Sequence, residues 1–133
     1  TNLMGLFPPH VVNGIQFIPG WFEHTCPKIA ASFAKTGEKI ALLRIDGDMY
    51  SSTIQVLEAF YPHVAPGGVV IVDDYVLENC RAAVDDFREG LKPPLTQAGL
   101  DYADNLGIDP KHLRKPAPKL HVIDYTGVYW VKP

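Results

Sequence analysis

The sequence is poor in cysteine, in long apolar runs and in positive charge. Its 133 residues include two cysteines, Cys26 and Cys80, too few and too far apart for a disulfide framework or a zinc motif. No apolar run approaches the ~18 residues of a membrane span, and no basic and apolar leader opens the chain. We therefore expect a soluble, cytoplasmic protein with no membrane partner. The net charge of −3 also argues against nucleic acid, because its polyanion favours basic proteins.

The composition is that of a globular protein. Hydrophobic residues make up 47% of the chain and charged residues 20%, which excludes wholesale disorder. A chain of this length forms one domain or a piece of one. Because it begins at Thr1 in the middle of a pattern, we expect a piece of a longer protein. We divide it into a loop or severed connection (1–13), an α/β core (14–90), an insertion or lid (91–119) and a terminal hairpin (120–133).

The first half of the core reads as strand, helix, strand. Gly14–Pro19 is a short β-rich run between turn residues, which predicts a strand. Thr25 is suited to cap a helix that Gly37 ends. Lys39–Ile45 is nearly continuous in apolar residues, as in a parallel strand covered on both faces. The order predicts a βαβ arrangement.

The second half repeats this alternation. A helix is expected from Ser51 or Ser52 as N-cap to the Pro66–Gly68 turn. Val69–Val72 is the clearest strand of the chain. A third helix over Asn79–Arg88 follows, with Gly90 just past its end.

The last part of the chain is less regular and then ends in a hairpin. Lys92–Lys119 holds five prolines and a weak helical stretch, Leu95–Leu106. The basic side chains of this segment either form a local basic patch or belong to a solvated loop. They are Lys111, Arg114, Lys115 and Lys119. Leu120–Asp124 and Val128–Lys132 flank a turn in which we expect Gly127 to be left-handed.

These elements predict an α/β fold with a mostly parallel sheet and one antiparallel element at its end. Ligands of such sheets bind at the carboxyl ends of the strands. Four acids follow the two buried strands at that edge: Asp46, Asp48, Asp73 and Asp74.

Carboxylates at this edge are able to share one cation, because neighbouring strands lie only about 4.8 Å apart. Oxygen ligands suit Mg²⁺, and the predicted ligand set is Asp46, Asp73 and Asp74. Since consecutive strand residues point to opposite faces, Asp73 and Asp74 share an ion only if the chain turns there. The alternative is that each acid caps a helix or faces water, with Arg44 as the nearest cation.

The same residues resemble the macrocin O-methyltransferase family. The resemblance covers about residues 14–90 and 120–132 and rests on motifs in matching order: Ala41–Thr53, Tyr61-Pro62, Pro66–Gly68, Val72–Tyr75, Cys80–Arg88 and Gly127–Trp130. It implies a Rossmann-like methyltransferase fold with helices on both faces of the sheet. It also implies a metal-dependent, S-adenosylmethionine-using enzyme that methylates a hydroxyl of a small-molecule acceptor such as a sugar.

The resemblance also assigns residues. It implies Mg²⁺ ligands at Asp46, Asp73 and Asp74 and a catalytic base at Asp46, with Asp48 as the second choice. It brings Gly20, Trp21 and Phe22 near the cofactor's adenine. Trp21 is then either a ring-stacking wall or ordinary packing, and we expect His24 to be a surface histidine.

Two other interpretations stay open. The Gly-rich turn of a methyltransferase is missing from Thr1–Asn13, so the chain is alternatively an incomplete module that self-associates through an open sheet edge. We accordingly predict a homo-oligomer. A haloacid dehalogenase-like phosphatase would use Asp46 as nucleophile, Asp48 as acid/base and the Asp73-Asp74 pair on Mg²⁺. Tyr50 stands where that family has Thr or Val, which weighs against this interpretation.

Overall fold

The computed structural model describes residues 14–133 and contains four α-helices and four β-strands within that range. In chain order they are α1 (Phe22–Thr36), β1 (Ile40–Ile45), α2 (Tyr50–Phe60), β2 (Val64–Val72), α3 (Glu78–Glu89), α4 (Gln97–Leu106), β3 (His121–Val122) and β4 (Val128–Val131). Short 3₁₀ turns precede β2 and follow α4. The loop expected over 1–13 lies outside the described residues.

The sheet has the strand order β1-β2-β4-β3. β1 and β2 are parallel, whereas β4 runs antiparallel to both β2 and β3. The predicted mixed α/β fold and the terminal hairpin are confirmed. Within residues 14–133, however, one strand pair of three is parallel, so this part of the sheet is not mostly parallel.

The core lies on one face of the sheet. The side chains that alternate inward are at most 9% exposed; they are Leu43, Ile45, Val70, Val72, Val128 and Trp130. They pack with Leu57 of α2 and Val84 of α3. On the other face Leu42 is 55% exposed and Val131 42%. The expectation of helices on both faces is thus not met within the described residues.

Two predicted boundaries near the start are wrong. Gly14–Pro19 forms no strand, only an isolated bridge at Ile15. Its Ile15 and Ile18 are exposed, and none of the strands among residues 14–133 extends along this run. α1 begins at Phe22 rather than Thr25. Gly37 ends it as predicted, with a φ of 75° and its N–H donating to the Phe33 carbonyl.

The Pro66–Gly68 turn does not end a helix but lies inside β2. α2 stops at Phe60, and β2 already begins at Val64. The pairing with β1 skips from Val64 to Val69, so the extra residues form a bulge. At Gly68 a Cβ would stand 2.8 Å from the Ala65 carbonyl oxygen, which explains the glycine.

The third helix follows the prediction, and the hairpin does so apart from its glycine. α3 buries Cys80, Ala83 and Val84, and Gly90 caps it in right-handed geometry with a φ of −67°. Gly127 does not have a positive φ, so the predicted left-handed conformation of this glycine is wrong. Its lack of a side chain matters for another reason, since a Cβ there would lie 3.2 Å from the Val72 carbonyl oxygen.

The segment between α3 and the hairpin folds on itself. Thr96 caps α4 by accepting a hydrogen bond from the Gly99 N–H. Arg114 ties the segment back to α3, lying 3.5 Å from Glu89 and donating to the Lys92 carbonyl. Lys111 lies 3.7 Å from Asp109, so part of the predicted basic patch is neutralised.

The described helices include none that is both apolar enough and long enough to cross a bilayer.

Candidate active site

The first acidic motif, Asp46–Asp48, begins where β1 ends. Ile45 anchors it in the core, and the chain then turns sharply. Asp48 has a φ of 49°, a left-handed conformation that Asp tolerates better than most residues. The Met49 N–H donates to the Gly47 carbonyl across this turn. The turn lets α2 start at Tyr50, which is why neither predicted serine is its cap.

The second acidic motif, Asp73-Asp74, follows β2 at the same edge. The Asp73 N–H donates to the Ile45 carbonyl at 2.9 Å, which continues the ladder between the strands. The Asp73 carboxylate binds Arg44, whose Nε lies 2.9 Å from Oδ2. The same guanidinium lies 4.0 Å from Asp46.

Asp74 points elsewhere and meets the first motif. One carboxylate oxygen each of Asp46, Asp48 and Asp74 lies within 4.8 Å of the other two. Oδ2 of Asp74 is buried without a hydrogen-bond partner. Contact with the Asp46 carboxylate, then burial and the Asp48 carboxylate, raise the pKa of Asp74 to about 6.

Three convergent carboxylates with an unpartnered buried oxygen fit a hard divalent cation. Ligands on opposite sides of Mg²⁺ lie about 4.2 Å apart, and the three oxygens here lie within 4.8 Å of one another. Of the predicted ligands, Asp46 and Asp74 lie together, and Asp48 joins them. Asp73 faces Arg44 instead. The chain does turn over residues 73–76, after β2, but this turn does not bring the Asp73 and Asp74 carboxylates into one cluster.

The predicted cofactor residues line a cleft with the first motif. The cleft has a volume of about 580 Å³, and its walls include Gly20, Trp21, Phe22, Asp46 and Asp48. The Trp21 ring is 77% exposed, so it is not ordinary core packing. At Gly20 a Cβ would stand 2.8 Å from Thr25 Cγ2, and only glycine lets the chain enter α1 there.

Three polar residues that line the cleft were not predicted as site residues from the sequence. They are Ser51, Ser52 and Gln55 of α2. Their helical spacing directly after an acidic motif is the signal that would have identified them. His24 is exposed on α1 and lies 3.4 Å from Glu23, as expected of a surface histidine.

Two tyrosine hydroxyls border the acids. Tyr50 donates to Asp86 Oδ2 at 2.9 Å, and Tyr75 donates to Asp85 Oδ1 at 2.8 Å. The bond to Asp86 raises the pKa of Tyr50. Burial, followed by the bond to Asp85, raises the pKa of Tyr75. Both hydroxyls therefore remain donors at neutral pH.

The fold of the described residues is that of solved O-methyltransferases. The O-methyltransferase NovP superposes with a TM-score of 0.60 and 34% identity, over 92% of this chain and 39% of that one. CalS11, a TDP-rhamnose 3′-O-methyltransferase, shares the fold with a TM-score of 0.59 at 22% identity, over 92% of this chain and 43% of that one.

The chain belongs to the macrocin-O-methyltransferase (TylF) family, whose model matches residues 10–108. The resemblance found in the sequence is thereby confirmed. The mycinamicin III 3″-O-methyltransferase of Micromonospora griseorubida is 45% identical over 87% of this chain and 34% of its own length. The demethyldecarbamoylnovobiocin O-methyltransferase of Streptomyces niveus is 38% identical, with the same two coverages.

A third relative is the 8-demethyl-8-(2,3-dimethoxy-alpha-L-rhamnosyl)-tetracenomycin-C 4′-O-methyltransferase of Streptomyces olivaceus. It is 39% identical over 87% of this chain and 33% of its own length. The chain thus spans about a third of the length of the curated relatives it matches.

Proposed function

We propose that this chain carries the acidic half of the active site of an S-adenosylmethionine- and Mg²⁺-dependent O-methyltransferase with a Rossmann-like, mostly parallel sheet in the whole domain. The acceptor is a hydroxyl of a sugar or polyketide-like small molecule. The observation that carries the proposal is the meeting of Asp46, Asp48 and Asp74 beside an aromatic-walled cleft. Relatives named for O-methylation, one of them specifying a rhamnosyl group, support the acceptor class.

The acidic residues at this edge have different proposed roles. Asp46, Asp48 and Asp74 would hold a divalent ion through carboxylate oxygens, and Asp73 stays a predicted ligand that would first have to leave Arg44. The ion, when bound, supplies positive charge that favours ionisation of an acceptor hydroxyl. Asp46 and Asp48 line the cleft, so one of these two carboxylates takes the hydroxyl proton.

The opposite wall suits the methyl donor. Trp21 and Phe22 offer ring surface in the same cleft as the acids, and ring surface binds adenine by stacking. Gly20 has no side chain, which lets the backbone of this wall approach the bound methyl donor closely. S-adenosylmethionine, when bound, supplies a methyl group activated by a positively charged sulfur. The protein's part is to hold the two reactants together and to keep water out.

Methyl transfer to a rhamnosyl glycoside, measured with and without Mg²⁺, tests the proposal. We expect transfer that EDTA abolishes and that Asp46→Asn removes. The matched control is Asp104→Asn, which alters an exposed carboxylate on α4 and should keep full activity.

Three other results would each contradict part of the proposal. Activity that survives EDTA argues against the metal, and hydrolysis of a phosphate ester without methyl transfer favours the phosphatase. No binding of S-adenosylmethionine in a calorimeter favours a module whose role is association alone.

We also propose that the protein forms a homo-oligomer. The outer face of the sheet presents Leu42 and Val131 at 55% and 42% exposure, and β1 is an edge strand within the described residues. Such a face and edge favour association. Light scattering of the purified protein decides it, since a monomer at micromolar concentration contradicts the proposal.

A further inference from the structure

The two acidic motifs are each followed by a tyrosine that reaches the same helix. Tyr50 comes two residues after the first motif, and Tyr75 directly follows the second. Their hydroxyls donate to Asp86 and Asp85, at 2.9 Å and 2.8 Å. Two neighbouring carboxylates of α3 therefore hold the first residue of α2, just after the Asp46–Asp48 turn, and the loop that follows β2. We name these two hydrogen bonds the tyrosine latch.

The helix that carries the latch is firmly placed. α3 buries Cys80 and Val84 at 1% exposure or less, and the Cys80 sulfur accepts a bond from the Thr53 hydroxyl of α2. Consecutive residues on a helix point about 100° apart. Asp85 and Asp86 can therefore reach two different loops from one rigid position.

Arg81 reinforces the second loop from one turn earlier on α3. Its Nε donates to the Tyr75 carbonyl and its Nη2 to the Val76 carbonyl, both at 3.2 Å. Its guanidinium also lies 5.5 Å from the centre of the Tyr75 ring. Backbone and side chain of this loop are thus both tied to α3.

The acids themselves push the loops apart. Asp46 and Asp48 approach Asp74 from the other motif, and three carboxylates repel one another unless a cation or a proton intervenes. An opposing tie is needed to keep their oxygens within reach of one ion before that ion binds. The tyrosine latch is such a tie.

We propose that Asp85 and Asp86 are positioning residues that, through the hydroxyls of Tyr75 and Tyr50, fix the separation of the two acidic motifs. By doing so they raise the affinity of the site for a divalent ion. The part that concerns the ion rests on the proposed function. The part that concerns the loops does not.

The double variant Tyr50→Phe/Tyr75→Phe tests the proposal because it removes only the two hydroxyls. In ion-free protein, we expect hydrogen exchange at the Val76 and Leu77 amides to accelerate roughly fivefold. Titration with Mn²⁺, followed by electron paramagnetic resonance at 10 °C, should show an affinity about tenfold lower. Tyr102→Phe, on the exposed side of α4, is the matched control and should change neither.

The two measurements separate positioning from mere stability. A structural role alone would lower the melting temperature and leave Mn²⁺ affinity at 10 °C unchanged, and that result would overturn the proposal. Unchanged exchange in the double variant would overturn it as well. If the unsubstituted protein binds no Mn²⁺, the metal in the proposed function is wrong, whereas the exchange comparison still decides the latch.

Discussion

Asp73 and Asp74 are adjacent in the sequence but lie in opposite electrostatic surroundings. Asp73 faces the guanidinium of Arg44, with Nε 2.9 Å from its carboxylate. Asp74 faces two other carboxylates and keeps a buried oxygen without a partner. The pair lies directly after the end of β2, where a turn over residues 73–76 begins. Asp73 is therefore neutralised by Arg44, whereas the same guanidinium meets the cluster around Asp74 only at Asp46, at a distance of 4.0 Å.

Removing each of the two acids in turn tests their different surroundings most directly. We expect Asp74→Asn to weaken Mg²⁺ binding about 100-fold, because it takes one of three charges from the cluster. Asp73→Asn should cost less than tenfold, since its charge is already paired with Arg44. Calorimetric titration of both variants measures the difference. Equal losses would instead make Asp73 a ligand of the same ion.

The pH dependence of Mg²⁺ binding should also reflect the surroundings of Asp74. The pKa of Asp74 is about 6, so at pH 5 only about one molecule in ten has this carboxylate ionised. We expect Mg²⁺ affinity to be about tenfold lower at pH 5 than at pH 7.5. Titrations at both pH values measure it, and the Asp74→Asn variant should show a flatter dependence. A profile that Asp74→Asn leaves unchanged would assign the proton to another group.

Replacing the two acids should also change the stability of the fold, by a small amount and with opposite sign for Asp74 and Asp73. The raised pKa of Asp74 means that the ion-free fold loses stability as pH rises from about 4 to 6. At pH 7.5, Asp74→Asn should therefore raise the melting temperature by about 3 °C. Asp73→Asn should lower it by about 2 °C or less, because it breaks a largely exposed ion pair. Calorimetric melting in EDTA checks both, and a shared sign would refute the comparison.

The sequence was sufficient for the parts of the fold that burial dictates. Continuous apolar runs identified β1 and the second half of β2, and the acids that follow them mark the edge where the site lies. The terminal hairpin was predicted equally well from the two strand-like runs that flank its turn. These features depend on local patterns of apolar residues, bounded by turn residues, that are typical of strands.

The sequence did not settle which acids meet, because that depends on conformation. Asp48 joins the cluster through a turn with positive φ, and Asp73 leaves it for an arginine two residues before the first motif. Neither the φ of a single Asp nor the choice of an ion-pair partner follows from composition or periodicity. The bulge in β2 escaped for a similar reason, since Pro66–Gly68 usually ends an element.

The closeness of the hairpin turn to the end of β2 has a practical consequence for protein engineering. A single Cβ at Gly127 would press on the Val72 carbonyl oxygen at 3.2 Å and the Asp73 carbonyl oxygen at 3.5 Å. Tyr125, two residues earlier, is 91% exposed. Position 127 therefore leaves little room for a side chain when this turn is diversified, whereas the exposed Tyr125 is the better position to vary.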